Sequence, residues 1–381
     1  MFGAQRTLLT LLSDIDRDVF SPMLVVPYDG PLSRAASELG IPVFVRRLVH
    51  WIPGLNGTSA RKRLGHLYRV LRTLSSRCRA LESLIGEHDV GIVYTNTVTC
   101  VEGAIAAQRA RKPHIWHIHE RIRGNSDIIP LLPHRLYCAA VKSLSSTIVF
   151  SSKALAGDYP ELSEKASVVY NGIPDSSARD KGAARREVIR DLGIDDHAKL
   201  VAVVGALNPG KDHLTFLAAA NQVVKLVDEA IFLIAGRGSE RYTRIIRDRI
   251  RDLHLEKRVR LLGWRDDIHD LMSAIDLLVI SSEHESFGLT AVEALAAGTP
   301  VVSTRCGGPE EILVDGVTGL LVPAKDPEKM ADAIGRMLRD PERARRYGDA
   351  GRKHVTEHFS AEKYVQGIQQ VLRDTAASKG K

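Results

Sequence analysis

Short runs of β-branched and aliphatic residues alternate with longer stretches of helical periodicity along the 381-residue chain. That alternation predicts parallel α/β layers. In the first half the predicted strands are MLVVP (23–27), IPVFV (41–45), GIVYTN (91–96), HIWHIH (114–119), STIVFSS (146–152) and SVVYN (167–171). Between the second and third, a long helix is predicted from about Ser59 to Gly86. There Leu64, Leu67, Leu71, Leu74, Cys78, Leu81 and Ile85 recur at alternating steps of three and four. This apolar stripe reads as core, with the arginines on the opposite face.

The pattern restarts with KLVAVVGAL (199–207), AIFLIAG (230–236), RVRLLG (258–263), DLLVISS (276–282) and PVVST (300–304). A polar segment near 174–185 reads as the linker. The expected organisation is a Rossmann-like domain over 1–172, a second Rossmann-like domain over 186–358, and a closing helix over 359–381 that packs back toward the first. The start breaks the pattern: MFGAQRTLLTLL opens on a Gly-containing turn and a helix, with no strand feeding it. In a doubly wound sheet the first strand is central. The first strand of the amino-terminal domain is therefore expected to be missing, with the chain truncated there or another segment in the slot.

Composition changes this picture little: 44% hydrophobic and 26% charged residues suit a globular protein. No apolar run approaches the roughly 18 residues of a membrane span, and no signal-peptide pattern opens the chain. Cys78, Cys100, Cys138 and Cys306 are scattered without CxxC spacing, which indicates neither a disulfide framework nor a zinc site and fits a reducing, cytoplasmic setting. Charge is uneven. Residues 1–170 hold 21 Lys and Arg against 14 Asp and Glu, whereas residues 171–381 hold 32 of each. Residues 39–81 carry nine basic residues (Arg46, Arg47, Arg61, Lys62, Arg63, Arg69, Arg72, Arg77 and Arg79) and no acidic one. Such a face attracts anionic lipid, a phosphorylated acceptor or nucleic acid, or else is a solvated helix surface. Nucleic acid is disfavoured, because aromatic residues make up only 5% and no recognition motif accompanies the charge.

The candidate chemistry lies in SSEHESFGLTAVEALAAGTPVVSTRCGGPEEI, residues 281–312. Were this stretch helical throughout, Glu285 and Glu293 would stand roughly 12 Å apart. A glycosidase acid/base pair needs only about 5 to 9.5 Å, so the two suit opposite ends of an extended ligand. Between them SFGLT offers backbone N–H groups at a helix start, with Gly288 permitting close approach to an anion. A sugar, a diphosphate and a ribose match that order of groups. The segment VVGALNPGKDHLTFLAAA adds a strand, a turn with Gly205 and Gly210, and Lys211 near a helix N-terminus. That combination seats phosphate. AGRGSERY (235–242) and RCGGPEE (305–311) add Gly-rich strand ends on the same carboxyl edge.

These segments closely resemble the retaining glycosyltransferases of family 4, with the GT-B fold: two Rossmann-like domains facing across a cleft. The resemblance runs through GAQRTLLTLLSDIDRDVFSPMLVV, VVYNGIP, VGALNPGKDHLTFLAAA, RVRLLGWRDDIHDLMSAIDLLVISS and the Glu-x7-Glu block from Glu285 to Glu293. It implies that Glu285 contacts the donor sugar, that Phe287, Gly288 and Leu289 offer backbone to sugar and diphosphate, and that Glu293 holds the ribose. It further implies that Lys211 neutralises the diphosphate, that Gly3 belongs to the amino-terminal turn at the donor, and that His119 lies beside the transferring sugar. Two departures stand out: Ala206 occupies the position where the family usually has Arg, so that either Lys211 acts alone or another basic residue such as Arg237 substitutes, and Phe2 precedes a single Gly3 where the family has a strand and a Gly-Gly turn.

The reaction implied is transfer of a sugar from a nucleotide-sugar to a hydroxyl acceptor, a lipid-linked or cell-envelope glycan, with retention. The acceptor attacks from the face the nucleotide leaves, and the departing diphosphate takes the acceptor proton. No resident cofactor or metal is expected: His117 and His119 share one side of a strand, but no third ligand sits at useful spacing. The expected setting is cytoplasmic, with peripheral attachment to anionic membrane through residues 39–81. Two alternatives are a nucleotide-sugar-binding protein without transferase activity, motivated by Ala206 and the absent strand, and a nucleotide-sugar 2-epimerase on the same fold.

Overall fold

A computed structural model describes residues 3–52, 60–123, 132–174 and 181–378. The chain forms two compact units, Met1–Pro174 with Ala361–Lys381, and Asp175–Ser360. Each of the eleven predicted runs overlaps a strand. In the first unit these are β1 (Leu24–Val26), β2 (Val43–Val45), β3 (Val93–Thr95), β4 (His114–Ile118), β5 (Thr147–Phe150) and β6 (Ala166–Val168). The second unit holds β7 (Lys199–Val204), β8 (Ala230–Ala235), β9 (Val259–Gly263), β10 (Leu277–Ile280), β11 (Val301–Thr304) and β12 (Gly319–Val322). The sequence reading missed β12, a four-residue strand beginning on glycine.

All pairings are parallel. The second unit is one six-stranded sheet ordered β12-β11-β10-β7-β8-β9, the doubly wound order whose direction reverses between β7 and β10. Every residue of AIFLIA in β8 is buried, as a parallel strand covered on both faces requires. Phe216, Phe232, Ile246, Leu277 and Ile334 lie in its main core cluster. Asp326–Pro327 and Asp340–Pro341 punctuate the last helices: each aspartate accepts a backbone N–H at 2.9 Å, from Lys329 and Arg343, with proline at the first helical position where no N–H is needed.

In the first unit, β3-β4-β5-β6 form one sheet while β1 and β2 pair separately, in register Leu24 with Val43. Among the described residues no segment pairs between β1 and β3. The turn expected at the start lies at residues 1–2, outside the described residues, and Gly3 is the first residue of the helix Gly3–Asp14. The terminal helix Ala361–Ala377 belongs to this unit by packing: Tyr364, Val365, Ile368 and Leu372 share a cluster with Leu11, Ile15, Ile115 and Val149. Gln369 Oε1 accepts the Asp16 N–H at 2.7 Å.

Two expectations are corrected here. The polar segment near 174–185 is not all linker, since the helix Lys181–Leu192 begins inside it; residues 175–180 lie outside the described set. The long helix runs Ala60–Glu87, but its buried row is Val70, Arg77, Cys78, Leu81, Leu84 and Ile85, while Leu64 and Leu71 are 67% and 60% exposed. Nor do all the arginines face away. Arg77 is buried and bonds Glu102 at 2.7 Å.

Candidate active site

The second unit brings the predicted residues together at the reversal between β7 and β10. Lys211 follows β7 and Glu285 follows β10, so the carboxyl ends of these adjacent strands put both side chains at the crevice where doubly wound sheets bind ligands. Lys211 Nζ forms an ion pair with Glu285 Oε1, which also accepts the Ser282 hydroxyl at 2.7 Å. The two loops are laced by backbone: Glu283 N–H donates to Gly210 O at 2.9 Å, and the Ser281 hydroxyl donates to Lys211 O at 2.7 Å. Asn208 caps the single turn carrying Lys211, and Asp212, in the left-handed region at φ +45°, caps the helix His213–Val223 through the Thr215 N–H and hydroxyl.

Glycine makes this edge possible. Gly236 lies so close to the β7 turn that a Cβ there would sit 1.7 Å from Gly205 O. Its neighbour Arg237 accepts the Leu207 N–H through its carbonyl at 3.0 Å, and Leu207 bridges Gly238 in parallel register. Extending the β7–β8 register past Val204 and Ala235 sets Arg237 beside Ala206. The guanidinium stacks on the Trp264 ring at 4.7 Å.

The supposition of one continuous helix through both glutamates does not hold. The helix begins only at Leu289, after Gly288 at φ +99°, and runs to Ala296. Glu285 precedes it in an extended stretch zipped to the 305–308 loop: its N–H donates to Cys306 O at 2.8 Å and its carbonyl accepts from Gly308 at 3.0 Å. A helical rise therefore does not measure the separation of the two acids. Phe287 is buried edge-on against Phe359, with centroids 5.9 Å apart, so its side chain anchors the loop and leaves backbone to Gly288 and Leu289. Glu293 is a buried carboxylate, 7% exposed, on the second turn of the helix. The far end of that helix is closed by cations, Lys181 Nζ on Gly298 O at 2.8 Å and Arg352 on Ala297 O at 3.0 Å. Cations at the C-terminus complement the negative end of the dipole and leave its positive end at the helix start after Gly288. Burial and the Glu285 charge push the Cys306 thiol up to about 12, which keeps it protonated.

In the first unit His119 is half-buried just past β4. Asn96, which the sequence reading did not single out, holds it: Asn96 Nδ2 donates to Ala4 O at 2.8 Å, and its Oδ1 meets His119 Nε2 at 2.9 Å. With the amide so fixed, His119 donates through Nε2 and keeps Nδ1 as acceptor. Desolvation lowers its pKa to about 3, so it is a neutral hydrogen-bonding group. Its ring lies against His117, centroids 3.9 Å apart. Gly3 heads the helix that contains Ala4.

Buried neutral histidines make both units acid-sensitive. Burial lowers His114 to about 3 in the first unit and His213 to about 4 in the second, from an ordinary value near 6.5. The unfolded chain binds protons that the folded chain refuses, so stability is full above the unfolded value and falls as pH drops through it toward the folded one. His114 and His213 are each expected to cost their unit about 2 kcal/mol near pH 5, and the buried His117 and His119 add to the loss in the first unit. Denaturant unfolding at neutral pH and near pH 5 checks this, and equal midpoints would refute it.

Residues 184–354 match the family described as Glycosyl transferases group 1. This domain belongs to that family. The chain is 34% identical over 185 residues to N-acetyl-alpha-D-glucosaminyl L-malate synthase of Bacillus anthracis, covering 49% of this chain and 48% of the synthase. It is 27% identical over 339 residues to alpha-maltose-1-phosphate synthase of Mycobacterium tuberculosis, covering 81% and 84%. The chain spans about half the length of the first curated relatives it matches. In structure it resembles Anabaena Alr3699/HepE, solved in complex with UDP and glucose, with a TM-score of 0.80 at 23% identity over 98% of this chain and 96% of that one. The fold is GT-B, with two Rossmann-like domains, and the group 1 domain carries the Lys211–Glu285 crevice.

Proposed function

We propose that the chain is a retaining glycosyltransferase that moves a sugar from a nucleotide-sugar to a hydroxyl acceptor. The observation that carries this reading is the convergence of Lys211, Glu285 and the start of the helix Leu289–Ala296 at the sheet reversal of a group 1 domain. Lys211 and the helix start stabilise the departing diphosphate, Glu285 orients sugar hydroxyls, and Glu293 holds the ribose. The C1–O bond to the diphosphate breaks as the acceptor oxygen bonds C1 on the same face, and the acceptor proton passes to a phosphate oxygen. His119 serves as the neutral histidine beside the transferring sugar, with Gly3 near the donor. Arg237, beside Ala206 in register, is the second cation. No metal takes part in this scheme, because lysine and helix dipole supply the positive potential.

Anabaena Alr3699/HepE was solved with UDP and glucose, which makes UDP-sugars the first donors to test. A panel of UDP-, GDP- and ADP-sugars with hydroxyl acceptors should give one donor that is consumed with formation of a retained glycoside. Binding without turnover of any donor would favour an inactive nucleotide-sugar-binding protein. An epimerised sugar formed without acceptor would favour the 2-epimerase.

A lipid-linked acceptor at an anionic membrane surface is the finer part of this proposal. Among the described residues no helix is long and apolar enough to cross a membrane. The helix Ala60–Glu87 instead exposes Leu64, Tyr68 and Leu71, 60–67% accessible, in one row at helical spacing. Arg61, Lys62, Arg69, Arg72 and Arg79 are exposed around them. Apolar ridge plus cationic flank is the pattern of an interfacial helix. Vesicles containing anionic lipid should pellet the protein at low salt and release most of it at high salt; no pelleting at low salt would remove this part of the reading.

A further inference from the structure

Three metal-ligating side chains of different kinds converge in the first unit. His134 and Cys138 stand one turn apart on the helix His134–Leu144, and Glu161 lies in the 3-10 turn Pro160–Lys165. Cys138 Sγ is 3.6 Å from His134 Nδ1, which is 3.8 Å from Glu161 Oε1, and one ligand atom from each lies within 4.8 Å of the others. A tetrahedral zinc with bonds of about 2.0 Å to nitrogen or oxygen and about 2.3 Å to sulfur holds its ligand atoms about 3.3 to 3.6 Å apart. The Cys138–His134 and His134–Glu161 separations already stand near that spacing, and the third pair lies within 4.8 Å. They are also graded from floor to rim: Cys138 is buried, the His134 side chain is 22% exposed and that of Glu161 42%. The Tyr159 ring stacks on His134 at 5.7 Å and 23°, and its own hydroxyl is fixed on Glu120 O at 2.9 Å. The imidazole orientation is therefore set by packing before any ion arrives.

We propose that His134, Cys138 and Glu161 bind one zinc-class divalent cation, with solvent in the fourth position, and that the ion staples the helix His134–Leu144 to the turn Pro160–Lys165. The mixed nitrogen, sulfur and carboxylate set favours zinc or cobalt over magnesium or calcium, which take oxygen ligands. Binding converts the Cys138 thiol to a thiolate and releases its proton to solvent. The scattered cysteines pointed to no zinc site in the sequence because the third ligand joins the H-x3-C pair only through the fold. The proposal stands apart from the transfer reading, since none of its residues belongs to the donor crevice.

Cobalt(II) titrated into the full chain is the probe, read by thiolate-to-metal charge-transfer absorption and then displaced with Zn2+. One equivalent should bind with that band, and Zn2+ should abolish it. Cys138→Ser should lose the band, while Cys100→Ser should keep it, although Cys100 Sγ lies 3.8 Å from His50 Nδ1 and is the alternative Cys-His pair. Glu161→Gln, at the exposed rim, should fold normally and bind cobalt about tenfold more weakly. It decides the matter even if Cys138→Ser does not fold. Absence of the band in the unaltered chain, its loss in Cys100→Ser, its persistence in folded Cys138→Ser, or unchanged affinity in Glu161→Gln would each overturn the proposal.

Discussion

Lys211→Ala is expected to lower kcat for transfer by about 10²- to 10³-fold, the usual cost of removing one preorganised group from developing negative charge. The reason lies in timing. Negative charge grows on the diphosphate only as the C1–O bond breaks, so a cation aimed there acts more on the transition state than on bound donor. Lys211 is the cation that the β7 turn holds at the crevice, its side chain tied to Glu285 and its own backbone to the Asn208 and Ser281 side chains. Arg237 stacks on Trp264 instead, so it replaces Lys211 only in part. Glu293→Ala should show the opposite split. In the proposed scheme its carboxylate holds a part of the donor that does not react, so the loss should fall mainly on donor affinity, about tenfold for one hydrogen bond to a charged group. Steady-state kinetics with direct donor titration separate the two. Parental kcat in Lys211→Ala, or parental donor affinity in Glu293→Ala, would count against the assigned site.

Much of this site was legible in the chain because parallel strands are near-continuous apolar runs and their carboxyl ends carry glycine. Lys211, Glu285, Gly288 and Glu293 could be picked out that way. Their pairing was not legible. Lys211 and Glu285 are 74 residues apart, and only the strand order, with β7 beside β10, makes them neighbours. Glu285 stands before the helix, as the reading of SFGLT as a helix start expects, and only the separation drawn from a continuous helix fails, because Gly288 at positive φ begins the helix at Leu289. Asn96 gave no signal beyond being polar after a strand, since its value depends on Ala4 O and His119 arriving from elsewhere.

The long helix shows a different failure. A stripe with steps of three and four has a mean period of 3.5, which drifts about 20° per heptad from a straight helix of 3.6 residues per turn. From Leu64 to Ile85 the accumulated drift is about 60°, enough to carry the first leucines off the contact line that Cys78, Leu81 and Ile85 occupy. The same drift brings Arg77 to the inside, beside an acid 25 residues away on another helix. Hydrophobic pattern alone assigns arginine to solvent; the buried acid that overrides it is visible only once the helices pack.

Breaking that buried pair from one side should strongly destabilise the first unit. Arg77 and Glu102 side chains are 3% and 0% exposed, and Glu102 Oε1 also accepts the Val49 N–H at 2.9 Å. Arg77 is further held through Val70 O at 3.3 Å and Thr73 Oγ1. Glu102→Ala leaves a guanidinium without its counter-charge in a site closed to water and strips the Val49 N–H of its acceptor, an expected cost of about 3 to 5 kcal/mol. The pair itself is a different quantity. Replacing both partners by apolar residues of similar volume, Arg77→Met with Glu102→Leu, removes the unpaired charge and should recover most of that loss, because desolvation offsets most of the attraction in the native pair. Denaturant unfolding of the two variants at low and high salt gives the test. The single-variant loss should persist at high salt, since a pair closed to water is screened far less than surface charge. Stability equal to the parent in Glu102→Ala would mean that Arg77 reaches water after all, and the core described for this helix would be wrong.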